Sequence, residues 1–147
     1  MDILVCVPRD KEEHVRAEKL NPANKQLTHG FWTFSGAPRY TRRDDCIWFA
    51  IYGEVFASAR ILEVKSYFPK GGTHEDDEPE DGQYIPAVMF KTESVLGHEF
   101  SVPRGLPPAF RGFRYVRRAD RYVQARQTKG LEVVGAQSAK KLFPKSW

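Results

Sequence analysis

The residue types that could do chemistry in this chain are aromatic rings set among cations. Between His29 and Trp48, the rings Trp32, Phe34, Tyr40 and Trp48 stand beside Ser35, Arg39, Arg42 and Arg43. The pairing returns at Phe110 to Arg118, which reads FRGFRYVRR. An aromatic face can stack a nucleobase, worth about 1 to 3 kcal/mol per base, while guanidinium groups hold phosphates. The pattern therefore offers Trp32, Phe34, Ser35, Arg39, Tyr40 and Trp48 as a base pocket. It offers Arg42, Arg43, Arg111, Arg114, Arg117, Arg118 and Arg121 as contacts to a nucleic-acid backbone. The competing reading makes the rings core and the arginines a solvated face, and the pattern alone leaves both open.

Bond-breaking chemistry has no such footing. The chain has no G-x-S-x-G elbow, no P-loop, no H-E-x-x-H and no zinc-deaminase pattern. His14, His29, His74 and His98 form no pair at ligand spacing, and Cys6 and Cys46 lie far apart in apolar runs, which is neither a disulfide framework nor a zinc pattern. The acidic run from Glu75 to Asp81, broken by Pro79, lacks the alternating ligands and central glycine of a calcium loop. Asp44 and Asp45 precede a strand-like run, where adjacent acids serve as turn formers. Lys70-Gly71-Gly72-Thr73 lacks the strand-loop-helix setting of a phosphate loop. These residues predict a binding module with no metal and no cofactor, and an enzyme only as the alternative.

Charge points the same way. The 147 residues carry a net +4, but residues 104–147 hold seven Arg and four Lys against Asp120 and Glu132, a net +9 that leaves −5 for the rest. Segregated basic charge is a usual footprint of a polyanion partner, and a solvated basic face that binds nothing is nearly as common. An apolar content of 41% is ordinary for a globular chain, and the length suits one domain over 1–147 with a basic C-terminal segment. No apolar run approaches the ~18 residues of a membrane span, and MDILVCVPRD lacks the basic flank of a secretory signal, so a cytoplasmic protein is expected.

The elements that must position these residues are mostly strands. ILVCV at Ile3–Val7 reads as a buried strand, followed by a helix from an Asp10/Glu13 capping box to Leu20. Phe31–Phe34, Cys46–Tyr52 and Glu54–Val64 read as strands, the last two joined by a hairpin at Tyr52-Gly53. Period-two alternation puts Ile47, Phe49 and Ile51 on one face and Trp48, Ala50 and Tyr52 on the other. Both are apolar, which requires a curled sheet with packing outside it. The next strand places Val55, Ala57, Ala59 and Ile61 opposite Phe56, Ser58, Arg60 and Leu62. Phe68–Gly82 is expected to be a mobile loop, and Tyr84–Phe90 a strand with an edge or bulge at Pro86. Phe113–Arg118 is a strand leading to a helix over Ala119–Thr128, with a single helix from Arg114 as the competing reading. Leu131–Val134 is the last strand.

The order of these segments resembles the PUA-like superfamily, in particular its ASCH and EVE branches. The resemblance rests on an early tryptophan (Trp32), on the strand entry Asp45-Cys46-Ile47-Trp48-Phe49 and on the alternating small and branched residues from Gly53 to Ile61; Asp44 stands where the family has glycine. It implies an α+β, mainly β fold: a small twisted barrel of five or six strands flanked by short helices. It implies RNA or DNA binding, with a modified or flipped base held in a pocket beside the barrel. The alternatives are an ASCH-like ribonuclease or nucleotide hydrolase, whose G-x-K-x-x-E-x-R signature is not recognisable here, and a domain that docks a protein partner.

Overall fold

The computed structural model describes residues 1–15, 20, 29–72, 74–119 and 130–135. The protein is mostly β, as the alternation predicts. Among the described residues there are eight strands: β1 (Asp2–Cys6), β2 (His29–Thr33), β3 (Cys46–Ile51), β4 (Glu54–Pro69), β5 (Tyr84–Lys91), β6 (Leu96–Ser101), β7 (Phe113–Arg118) and β8 (Leu131–Val133). They pair in the order β2-β5-β4-β3-β1-β7-β8, with β6 on β4 as a branch. Among the described residues no pair joins β2 to β8, so the sheet is open.

β4 is the spine. Its first residues pair β3 on one side and β6 on the other, while its second half, Ile61–Pro69, pairs β5. Tyr52 and Gly53 turn β3 into β4 with φ of 53° and 78°, the two positive values that match a tight turn to the twist of a hairpin. The register then slips at Phe49/Ala50, where Val55 and Ala57 face consecutive β3 residues and Phe56 is the extra one. That bulge moves Val55 to the Trp48 face, away from the Ala57/Ala59/Ile61 set expected to hold it. A further irregularity lies between Lys65 and Phe68, opposite Pro86, where proline cannot donate to the ladder. Bulges of this kind bend β4 from one group of partners to the next.

Two apolar clusters cover the two faces. One gathers Ile3, Val5, Ile47, Phe49, Ile61 and Phe90, and the other Leu4, Trp48, Ala50, Val55, Val116 and Leu131. β1 is parallel to β3 and antiparallel to β7, so Ile3 and Leu4 are buried on opposite sides of a central strand.

Of the helix expected from Asp10 to Leu20, residues 16–19 lie outside the described residues. The described part after β1 is a 3-10 turn, Arg9–Lys11, running into α1 (Glu12–His14). Asp10 sits inside that turn, and Lys11 takes the N-cap position without a side-chain bond, so the Asp10/Glu13 capping box does not form. Two more single turns, Glu80–Gly82 and Thr92–Ser94, lie in loops. Phe113–Arg118 is a strand, which removes the alternative of a helix starting at Arg114. The helix expected over Ala119–Thr128 lies, from Asp120 onward, outside the described residues. Among those residues no helix is long and apolar enough to cross a membrane.

Candidate functional site

β2 carries the sequence HGFWT along β5. Gly30 is buried against the ring of Phe90, where a Cβ would come within 2.4 Å of that ring, so glycine here sets how closely the two strands pack. The next residues, Phe31 and Trp32, open a cleft of about 480 Å3 at the outer end of the strand. Phe31 and Trp32 supply two partly exposed rings, with the fully buried Phe68 behind Phe31, Thr33 a hydroxyl, and Asp10 and Lys11 one charge of each sign from the turn after β1. Phe31 and Trp32 are neighbours that a strand directs to opposite faces. The cleft therefore spans the strand instead of one face of it. Trp32 is half-buried: its ring meets Phe49 edge-on at 5.4 Å and remains partly exposed on the cleft side. Phe31 leans on Phe68 with ring centres 4.6 Å apart. Gly71 and Gly72 close the far wall.

The structure divides the six base-pocket candidates among three places. Trp32 alone lines the cleft. Phe34 is 4% exposed and heads a ladder of rings, Phe34–Phe113–Tyr115–Tyr40, with centres 5.1 to 5.5 Å apart. That ladder fastens the loop after β2 onto β7, and the Tyr40 backbone N–H donates to the Tyr115 hydroxyl at 3.1 Å. Burial raises the pKa of Tyr115. Ser35 and Arg39 are exposed on this loop, outside the cleft lining. Trp48 is fully buried on the opposite face of β3, its indole N–H donating to Asp2 Oδ2 at 3.1 Å. It has no face to offer a base. Two of the six are core side chains, in line with the competing reading of the rings.

The candidate backbone cations divide as well. Arg42, Arg43 and Arg111 are exposed. Arg114 lies over the Phe110 ring at 4.7 Å and donates to the carbonyls of Arg111 and Phe113. Arg117 pairs with Glu132 at 3.2 Å across β7 and β8. Arg118 is half-buried, with one guanidinium nitrogen enclosed and no hydrogen-bond partner. Arg121 lies outside the described residues.

Sequence reasoning missed Phe31, Phe68, Asp10 and Lys11 as walls of one cleft. Phe68 had a signal, an aromatic at the mouth of the glycine turn FPKGG, but it reaches Phe31 only because β4 runs five residues beyond Val64. A second cavity, of about 240 Å3, lies where β1 and β3 end, bounded by Cys6, Arg9, Tyr52, Pro108 and Phe110. Burial pushes the Cys6 thiol above its ordinary pKa, although nearby Arg114 opposes the shift. The thiol is therefore a poor nucleophile. His98 on β6 is hydrogen-bonded through Nε2 to Ser58 Oγ at 2.8 Å, but Ser58 is fully buried and out of reach of a substrate. Among the described residues no group of His, Cys, Asp and Glu is placed to hold a metal ion. No protein-family model, curated protein or solved structure matches this chain.

Proposed function

We propose that this chain is a nucleic-acid-binding module whose Trp32 cleft receives an unstacked base. One observation carries the reading: a half-buried indole, backed by Phe49, opens with the half-buried Phe31 onto a cleft of about 480 Å3. That volume lies within the roughly 300–1,000 Å3 of small-molecule sites, and rings with a few polar groups at the rim suit a planar heterocycle. Asp10 can accept from a base N–H and Lys11 can reach a phosphate. The exposed Arg39, Arg42, Arg43 and Arg111 supply long-range attraction for a polyanion.

The likeness to the PUA-like superfamily belongs to the same proposal. Asp44 adopts φ 73°, a left-handed conformation that suits the glycine of the family pattern. β4 changes partners halfway along, which curls the sheet in the direction of a small barrel, although among the described residues it does not close.

The test is binding of labelled single-stranded oligonucleotides, DNA and RNA, at several salt concentrations. Trp32→Ala should weaken binding roughly 5- to 150-fold, the equivalent of about 1 to 3 kcal/mol of stacking, and leave the salt dependence unchanged. Trp32→Phe, which keeps the packing on Phe49, should lose less. Undiminished affinity in a folded Trp32→Ala variant, or no binding by the parent at low salt, would overturn the reading.

A further inference from the structure

The cavity bounded by Tyr52 and Phe110 shares a wall with the Trp32 cleft: Pro8 lines both. The short turn Pro8–Lys11 is the ridge between them. Arg9 faces the smaller cavity and Lys11 the larger, and Arg114 lies close enough to the smaller one to act electrostatically on Cys6. Among the described residues the two linings hold Arg9 and Lys11 against Asp10, with Arg114 beside the smaller cavity and Glu80 and Asp77 beside the Gly71–Gly72 wall of the larger, so the excess of positive charge is confined to the ridge and the smaller cavity. Each side of the ridge has rings. Tyr52 is 54% exposed with the Arg9 guanidinium over it at 4.7 Å, and Phe110 lies under Arg114 at the same distance. A guanidinium plane laid on a ring presents its other face as a stacking surface for a base.

We infer that the smaller cavity is a second nucleotide subsite, and that a single strand of nucleic acid crosses the Pro8–Lys11 ridge. One base would stack at Trp32 and its neighbour at Arg9/Tyr52, with the phosphate between them held by Arg9 and Lys11. Charge complementarity selects this occupant: an uncharged apolar ligand would gain nothing from the cations on the ridge, whereas a phosphodiester gains from each of them. The ridge is one short 3-10 turn, and Pro8 lies in both linings, so the two cavities are direct neighbours across it. The inference rests on the Trp32 reading and extends it from a single base to a strand.

The experiment uses the intact chain, labelled single-stranded hexanucleotides of DNA and RNA, and an unlabelled nucleoside monophosphate. Tyr52→Asn removes the ring and keeps the turn, because asparagine tolerates the φ of 53° at this position. It should weaken hexanucleotide binding about 5- to 100-fold and lower the number of nucleoside monophosphates bound per chain from two to one. Arg9→Gln, at an exposed site where folding is not at stake, should reduce the slope of log K against log salt by about 0.7. Equal hexanucleotide affinity in Tyr52→Asn and parent would overturn the second subsite; the Trp32 reading would stand if Trp32→Ala still weakened the same probe. Insensitivity to both changes would overturn the two together. An RNA or DNA preference in the hexanucleotide arms would identify the strand.

Discussion

Asp2 and Asp45 show how an acid beside a candidate site can be wholly structural. Asp2 Oδ1 accepts the Cys46 backbone N–H at 2.9 Å and Oδ2 the Trp48 indole N–H, tying β1 to the start of β3. Asp45 Oδ2 accepts the Arg42 N–H at 2.7 Å, closing the turn before β3, and pairs with the Met1 amine at 2.7 Å. Burial is the largest influence on Asp2 and raises its pKa, more than the two hydrogen bonds lower it. The native state therefore holds this proton more tightly than the unfolded chain, whose Asp titrates near about 3.9. For this group stability is greatest in acid and falls as pH rises from about 3.9 through the raised native value. Asp2→Asn should remove that segment of the pH profile. It also turns an amide N–H2 toward the indole N–H, so a loss of about 1 to 3 kcal/mol is expected from an unsatisfied buried donor. Urea titrations across pH 4–8 should show the gap between parent and variant widening toward acid; a constant gap would mean that Asp2 titrates normally. Trp48 carries the same lesson for sequence reading. Its type is shared by cores and base pockets, and only the Asp2 carboxylate under its indole, 46 positions away, decides between them.

At the level of the strands, Gly30 joins sequence to packing most directly. Phe90 is fully enclosed, so its ring has nowhere to go when a Cβ arrives at 2.4 Å. Gly30→Ala should lower stability by about 1 to 3 kcal/mol, the usual range for overpacking, by separating β2 from β5. A lower urea midpoint at unchanged m-value would register it, and a midpoint equal to that of the parent would show that the β2–β5 contact is slack. Because Phe31 and Trp32 follow Gly30 directly, the same variant should also loosen the cleft. The strands with alternating or continuous apolar residues were legible: the paired faces of β3, the Tyr52-Gly53 turn and the irregularity opposite Pro86 all follow from local rules. β6 was not, because LGHEFS at Leu96–Ser101 is mostly exposed and polar, and the spine β4 defines it as a strand. The extension of β4 to Pro69 was hidden for a similar reason, since KSYFP has no alternation and bulges break its period. The cleft was half-legible. Trp32 could be picked out from its surroundings, but Phe68 and the Pro8–Lys11 turn reach it through pairings that no local pattern encodes.

Along the sequence the net +4 divides into an acidic and a basic part, and the acidic loop stands beside the Gly71–Gly72 wall of the cleft, which limits the side from which a polyanion would approach. The acidic run beyond β4 is drawn back onto the sheet: Lys65 pairs with Glu63 at 3.3 Å and with Glu75 at 3.0 Å, and these partners raise the lysine pKa. The base of that loop is closed by backbone bonds from Lys70 to Gln83 and from Glu80 to Lys70. Such exposed pairs add little to stability, about 0 to 1 kcal/mol each, but they fix where negative charge stands relative to the cleft. Among the described cations near the C-terminal end, Arg117 is balanced by Glu132 and Arg114 is laid on Phe110, whereas Arg111 projects into solvent. Cations already engaged with protein partners contribute less to a salt-dependent association, because binding a phosphate requires that engagement to be given up. Arg111→Gln should therefore reduce the slope of log K against log salt by about 0.7, one phosphate's worth on a single strand, and weaken all sequences alike. Arg117→Gln should change the slope less and lower stability slightly through the lost pair with Glu132. Equal slopes for parent and Arg111→Gln would mean that the strand does not pass this residue. Its track would then lie over Arg39, Arg42 and Arg43, where the same substitution made one at a time should recover the missing increment.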